Sequence, residues 1–131
     1  MIKKTITYTD YDGVSRTEDF YFNLSKPELM EMDFSESGGM EKAIKKIVDA
    51  QDTKKIIEVF KDIILRSYGE KSADGKHFVK VRDGHRLAEE FAQTEAYSEL
   101  FMELATDDKA AAEFINGIIP QSLAAEIAAR G

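Results

Sequence analysis

The chain has 131 residues, of which 43% are hydrophobic and 33% are charged, a composition typical of one folded globular domain with a sizeable core. Its 25 acidic residues outnumber 18 basic ones, and the formal charge of -7 argues against nucleic acid as the main partner. The absence of cysteine excludes disulfides and cysteine-ligated zinc. No apolar run long enough to span a membrane or to form a signal peptide is present, so we expect a cytoplasmic protein without a membrane span.

Residues 2–24 predict a β-hairpin, because apolar and polar side chains alternate in both halves of the segment. A two-residue loop at Asp12-Gly13 would pair even-numbered residues of the first strand with odd-numbered residues of the second. A three-residue loop, Tyr11-Asp12-Gly13, pairs even-numbered residues of the two strands with each other and places Ile2 opposite Phe22. We favour this second register, with a type I turn whose glycine is left-handed and forms a G1 bulge.

The next segment predicts helices in succession. Ser25-Lys26-Pro27-Glu28 has the spacing of a capping box and begins a short helix that continues through Met32. Residues 40–50 have the periodicity of a second helix. The widest apolar stripe lies in 53–68, which we interpret as the central helix of the domain, with Gly69 as a left-handed stop.

The second half is less regular at first and then helical. Residues 70–82 contain a turn signal and predict either a short strand or a loop. From Asp83 the pattern is helical again, and Thr94 and Thr106 are placed to cap two further helices. Gly117 is a plausible stop for the second of these, before an Ala-rich helix near the C-terminus.

Together these elements predict an α+β fold that is mostly helical, with an N-terminal β-hairpin packed on a bundle of about five to six helices. We expect a single domain over 1–131, made of the hairpin 2–24, the helical bundle 25–120 and a weakly docked C-terminal helix, 121–131. The last helix offers few large apolar side chains, and its burial should contribute little to stability.

Residues that could carry chemistry are few. The only histidines, His77 and His85, lie in polar surroundings, which is typical of solvated side chains. The acidic pair Asp10 and Asp12 is explained by a turn and lacks the ligand count of a calcium loop. No phosphate-binding, hydrolase or metalloprotease motif occurs. We therefore expect no catalytic residue, no cofactor and no metal site.

Four stretches of the sequence, taken together, resemble a known family. They are TITYTDYDG with EDFYFNLSKPEL, KDIILRSYGEKSADGKHF, EEFAQTEAYSELFMELATD and FINGIIP. The resemblance is to tail assembly chaperones of long-tailed phages and prophages of Gram-positive bacteria, in the group that opens with a β-hairpin. It covers roughly residues 2–120 and includes no catalytic signature.

The resemblance implies a non-enzymatic role in virion assembly. Such proteins coat the tape measure protein, keep it soluble until the tail tube polymerises around it, and are absent from the mature virion. It implies the tape measure protein as partner, with the tail tube protein as a further candidate, and the host cytoplasm as location. Two alternatives are a structural phage tail or head–tail connector protein and a small enzyme.

The sequence pattern also suggests where a partner would bind. Exposed methionine and aromatic side chains suit binding to variable apolar partners. Because many copies would be needed to coat a long chain, weak self-association is expected as well. The residues that the pattern favours for partner binding are Met30, Met32, Phe34, Tyr97, Phe101, Phe114 and Ile118.

Overall fold

The computed structural model describes residues 1–31 and 53–119. The continuation of the first helix to Met32, the helix predicted at 40–50 and the C-terminal helix predicted after Pro120 lie outside these ranges.

The described residues form two antiparallel sheets and five helices. One sheet has the order β1 (Ile2–Thr9), β2 (Ser15–Phe22), β3 (Tyr68–Lys71), β4 (Phe78–Val79), and the other pairs β5 (Val81–Arg82) with β6 (His85–Arg86). The helices are α1 (Lys26–Glu31), α2 (Thr53–Ser67), α3 (Leu87–Phe91), α4 (Glu95–Thr106) and α5 (Asp108–Ile118).

The N-terminal hairpin has the predicted register. Ile2 pairs with Phe22 along an uninterrupted antiparallel ladder. The Gly13 N–H donates to the Asp10 carbonyl at 3.0 Å, and the Asp10 N–H donates to the Val14 carbonyl at 2.9 Å. Gly13 has a φ of 82°, so the three-residue loop with its left-handed glycine is confirmed.

The predicted architecture, a hairpin packed on a bundle of about five to six helices, is wrong. The fold is α+β, but β3 and β4 extend the hairpin into a four-stranded sheet that forms a full layer of the structure. Tyr68, expected in the last turn of the central helix, instead begins β3 and pairs with Phe22. Its aromatic ring stacks on Phe91 with a centroid distance of 4.2 Å, and this contact favours the strand over another helical turn.

Both glycines predicted as helix stops serve close packing instead. Gly69 lies in β3, where a Cβ atom would come within 2.4 Å of the Phe78 ring and 2.7 Å of the Val79 carbonyl oxygen. Gly117 lies inside α5, where a Cβ atom would come within 2.7 Å of Cδ1 of Ile2. A side chain at either position would push neighbouring elements apart.

The helix predicted from Asp83 begins later. Asp83 and Gly84 form a two-residue turn, with φ values of 54° and 78°, that joins β5 to β6. Two successive left-handed residues are the conformation that an Asp-Gly hairpin favours. The helix therefore begins at Leu87, although its expected apolar face, formed by Leu87, Ala88 and Phe91, is buried as predicted.

Local hydrogen bonds define the helix starts. The capping box before α1 is confirmed, because the Ser25 N–H donates to the Glu28 carboxylate at 2.9 Å and the Glu28 N–H to Ser25 Oγ at 3.3 Å. Thr94 caps α4 as predicted. The cap of α5 is Asp107 and not Thr106, since a carboxylate accepts two backbone N–H groups there.

A single cluster of buried side chains joins the four-stranded sheet to the helices. The predicted central helix contributes Phe60, Ile63 and Ile64, each exposed by 5% or less. Ile57 of the same helix is 45% exposed and lies at the margin of this core. The remaining large members are Ile6, Phe22, Leu24, Phe91, Leu100, Leu104, Phe114, Ile115, Ile118 and Ile119.

Replacement of Phe60 by alanine should lower the free energy of unfolding by about 3–5 kcal/mol, because it leaves a cavity in the core. Urea denaturation followed by circular dichroism measures the change. Ile57→Ala, on the exposed side of the same helix, is the matched control and should cost far less. Equal losses in the two variants would contradict the assignment of Phe60 to the core.

Candidate functional site

Of the seven residues predicted to bind a partner, the four whose side chains the structure describes do not form one surface. Phe114 and Ile118 lie in the core, with exposed fractions of 1% and 0%. The Phe114 ring packs edge-on against Phe22 at a centroid distance of 5.1 Å. Neither side chain is accessible to a partner while the core is closed.

The three predictions near α1 stay predictions. Met30 lies in the last part of α1, where the structure does not describe its side chain, and Met32 and Phe34 lie outside the described residues.

The remaining two residues lie together at the surface of α4. Tyr97 and Phe101 are half-buried, one helical turn apart, with their ring centroids 6.0 Å apart. Met102 follows them and is 56% exposed. We call Tyr97, Phe101 and Met102 the α4 surface. The sequence pattern that favours Tyr97 and Phe101 does not single out Met102, because acidic and core residues flank it.

The α4 surface rests on a rigid support. Tyr97 packs edge-on against Phe91 at a centroid distance of 5.9 Å, and Phe91 in turn stacks on Tyr68. The line of rings therefore runs from the surface of α4 to the sheet. Because the rings are fixed by their neighbours, binding an apolar partner there would cost little side-chain entropy.

Two polar contacts orient α4 along the hairpin. Lys4 Nζ binds the Glu103 carboxylate at 3.0 Å, near the end of the helix. At its start, a hydrogen bond with the Glu95 carboxylate raises the pKa of Tyr11, which lies at the tip of the hairpin. The start of α4, at Glu95, thus lies near the tip of the hairpin at Tyr11, and its end, at Glu103, lies near Lys4 at the start of β1. The helix α4 therefore runs antiparallel to β1.

Burial raises the pKa of two tyrosine hydroxyls in this region. It raises the pKa of Tyr97, and burial, with the nearby carboxylates of Glu70 and Glu90, raises the pKa of Tyr68 to about 12. A tyrosine hydroxyl is neutral at physiological pH even without such a shift, so both side chains present a ring with a neutral hydroxyl, which suits contact with an apolar partner.

A pocket of about 120 Å³ is lined in part by Glu28, Arg66, Lys80 and Arg86. The Lys80 ammonium donates to the carbonyls of Asn23 at 2.8 Å and Arg66 at 2.7 Å, and to the Glu28 carboxylate. All three of its protons are thus directed at groups of the fold. The arrangement joins α1, α2 and the end of the hairpin and supports a structural role.

The ion pair in this pocket is partly removed from water. Burial lowers the pKa of Lys80, although the Glu28 carboxylate counteracts the effect. Burial alone would raise the pKa of Glu28, but hydrogen bonds from Lys80 and Ser25 outweigh it and leave that pKa below its ordinary value. The folded protein therefore favours the ionised carboxylate.

Other candidate sites are absent from the parts of the chain that the structure describes. Over 1–31 and 53–119, no three histidine or carboxylate side chains are grouped so as to hold a metal ion. His77 and His85 are both exposed. No helix within those ranges is long and apolar enough to cross a membrane.

Replacement of Glu28 by glutamine should destabilise the protein at neutral pH and progressively less in acid. A carboxylate with a lowered folded-state pKa contributes stability above its unfolded value, near 4.5, and loses it as the pH falls through the folded pKa. The difference in unfolding free energy between wild type and variant should therefore shrink below pH 4.5. Urea denaturation at a series of pH values measures it.

Glu113→Gln, an exposed position of α5, is the control and should give a small difference at every pH. Asp10 and Asp74, whose pKa values are also lowered, are common to all variants and cancel in the comparison. A Glu28→Gln deficit that does not change with pH would contradict the role given to the Lys80–Glu28 pair.

Comparison with known proteins identifies the family of this chain. The model of one protein family, described as phage tail assembly chaperone, matches residues 1–130. No curated protein and no solved structure matches the chain. Because the family model spans almost the whole sequence, the protein belongs to the phage tail assembly chaperone family.

Proposed function

We propose that this chaperone binds the tape measure protein and keeps it soluble until the tail tube polymerises around it. Membership of the family supports a role in tail assembly, which is a role of binding and not of catalysis. The observation that favours an elongated apolar partner is the α4 surface, where two supported aromatic rings and a methionine reach solvent on one helix.

The α4 surface has the chemistry to bind a helix. A tape measure protein is a long helical chain whose apolar stripes are exposed until the tube encloses them. Tyr97 and Phe101, four residues apart, present rings at the spacing of one helical turn and match such a stripe. Met102 beside them is flexible and adapts to different side chains along the partner.

The modest size of this surface suits a temporary complex. Tyr97 and Phe101 are already half-buried in the free chaperone, so only part of each ring is available for contact. The affinity of the coat for its partner then depends on many weak contacts along the tape measure protein. Tail tube subunits are a further binding partner, and they displace the chaperones as they polymerise. The chaperone accordingly acts in the host cytoplasm and is left out of the mature virion.

Charge contributes to keeping the complex soluble. The formal charge of -7 opposes the aggregation of tape measure chains coated by several copies. Glu99 is exposed on α4, close in sequence to Met102, whereas Glu103 pairs with Lys4 of the same chain. Glu99 favours an apolar stripe that is bordered by lysine or arginine.

We retain Met30, Met32 and Phe34 in the proposal as further contact residues on a separate segment. Phe114 and Ile118 act differently, because they are buried and support the helices from within the core. Weak contacts between chaperone copies would increase coverage of the partner by raising the effective concentration of the next copy.

Met102→Glu should weaken binding to the tape measure protein, because it places a charge in an apolar contact without disturbing the core. A loss of about 1.4 kcal/mol, or about tenfold in affinity, is typical of a contact at the centre of an interface. Co-expression of the two proteins, with the soluble fraction of the tape measure protein as readout, measures the effect. Ala112→Glu, which adds the same charge at an exposed position of α5, is the matched control.

Equal solubility of the tape measure protein with both variants would contradict binding through the α4 surface. Mass spectrometry of purified virions addresses the role itself. Abundant chaperone in the finished particle would favour the alternative of a structural tail or head–tail connector protein.

A further inference from the structure

β1 forms one edge of the four-stranded sheet and pairs only with β2. In an antiparallel pair, residues whose backbone groups bond across the ladder alternate with residues whose groups point away. The Asp10 N–H donates to the Val14 carbonyl, so Asp10 and Val14 form a hydrogen-bonded pair. Because bonded and non-bonded pairs alternate, the even-numbered residues of β1 also hydrogen-bond to β2. The odd residues, Lys3, Thr5, Thr7 and Thr9, therefore direct their N–H and C=O groups away from β2.

These outward groups have no backbone partner among residues 1–31 and 53–119. The edge is also long, since β1 has eight residues, whereas β4 at the other edge has two. Proteins usually shield a long edge with proline, a bulge or inward charges. β1 contains neither a proline nor a bulge, and its inward charge, Lys4, is paired with Glu103. Its threonines favour extended backbone, so the edge is suited to receive another strand.

We infer that this edge binds the β1 strand of a second copy of the chain in an antiparallel arrangement. β1 has Lys3 and Lys4 near its start and is followed by Asp10, so its two ends carry opposite charge. Antiparallel pairing centred on Thr7 places Lys4 opposite Asp10 of the second copy, and Ile6 opposite Tyr8 of the second copy. Parallel pairing would instead set lysine against lysine, which is unfavourable.

The contact would be weak and reversible. Pairing centred on Thr7 offers about six backbone hydrogen bonds between the copies, with few large side chains buried. An interface of this kind falls below the size of stable complexes and forms only at high local concentration. The inference rests on the proposed function in that many copies would meet at high local density on one tape measure chain.

Thr7→Pro tests the edge, because proline removes the outward N–H and blocks strand addition. Thr17→Pro is the matched control. Thr17 is the cross-strand partner of Thr7, and their side-chain oxygens lie 2.9 Å apart, so both variants lose the same side-chain bond. The Thr17 N–H points away from β1, and β2 pairs with β3 only at Tyr21 and Phe22, so neither proline removes a ladder bond of the sheet.

Sedimentation velocity of the full chain over a range of concentrations, without tape measure protein, gives the readout. Wild type and Thr17→Pro should show a sedimentation coefficient that rises with concentration, and Thr7→Pro should remain monomeric. Loss of association in both variants would indicate pairing of β1 with the edge of β2, and loss in neither would indicate another surface. Either result overturns the inference, as does a wild type that stays monomeric into the millimolar range.

Amide hydrogen exchange on the wild type avoids any effect of the substitutions on folding. Exchange at Thr5, Thr7 and Thr9 should slow as the concentration rises, while exchange at Thr17 should not change. Protection of all three threonines that is independent of concentration would show that another segment of the same chain covers the edge, and would overturn the inference. Because tape measure protein is absent from both measurements, their outcome is independent of the co-expression assay.

Discussion

The stacking of Tyr68 on Phe91 is the contact on which the rest of the structure depends. The two rings are nearly parallel, with an interplanar angle of 4°, and they join the start of β3 to α3. Phe91 also packs edge-on against Phe22 of the sheet and Tyr97 of α4. One ring thus connects the sheet, the short helix and the surface proposed to bind a partner. Contacts between aromatic rings are directional, so this arrangement fixes the orientation of α4 as well as its position.

The end of α2 shows how such long-range contacts replace local signals. A helix leaves its last carbonyl groups without partners, and a left-handed glycine often satisfies them. Here the Asn23 N–H donates to the Ser67 carbonyl at 2.7 Å, and Lys80 donates to the Arg66 carbonyl. Both donors come from distant parts of the chain. The helix therefore ends directly in a strand, with no turn between them, and Gly69 is free to serve strand packing.

The features that could be predicted from sequence are those whose physical cause is local. The register of the hairpin follows from the loop at Tyr11-Asp12-Gly13, and the starts of α1 and α4 follow from hydroxyl caps at Ser25 and Thr94. The third strand could not be predicted in this way, because Tyr68 and Gly69 become strand residues only through partners on other elements. For residues 70–82 a short strand and a loop stay open as alternatives in the sequence, because a strand as short as β4 gives too little alternation to decide between them.

The residues of the candidate site could likewise be predicted only in part. A helical pattern of large apolar residues identifies a buried face as readily as a face that binds a partner. Tyr97 and Phe101 reach the surface, whereas Phe114 and Ile118, with the same spacing and chemistry, are covered by the sheet. Only the tertiary packing around each side chain distinguishes the two pairs. Met102 carries no periodic signal, and its exposure follows from the way α4 lies along the hairpin.

The close contact between Ile2 and Gly117 has a consequence for biosynthesis. It joins β1, the earliest of the described elements in chain order, to α5, the last of them, and the Leu24 N–H also donates to the Ile118 carbonyl at 2.7 Å. The core therefore closes only after α5 has been synthesised. Until then Phe22 and its neighbours on the hairpin are uncovered in the nascent chain. A member of a chaperone family thus passes through a stage of translation in which its own apolar surface is exposed.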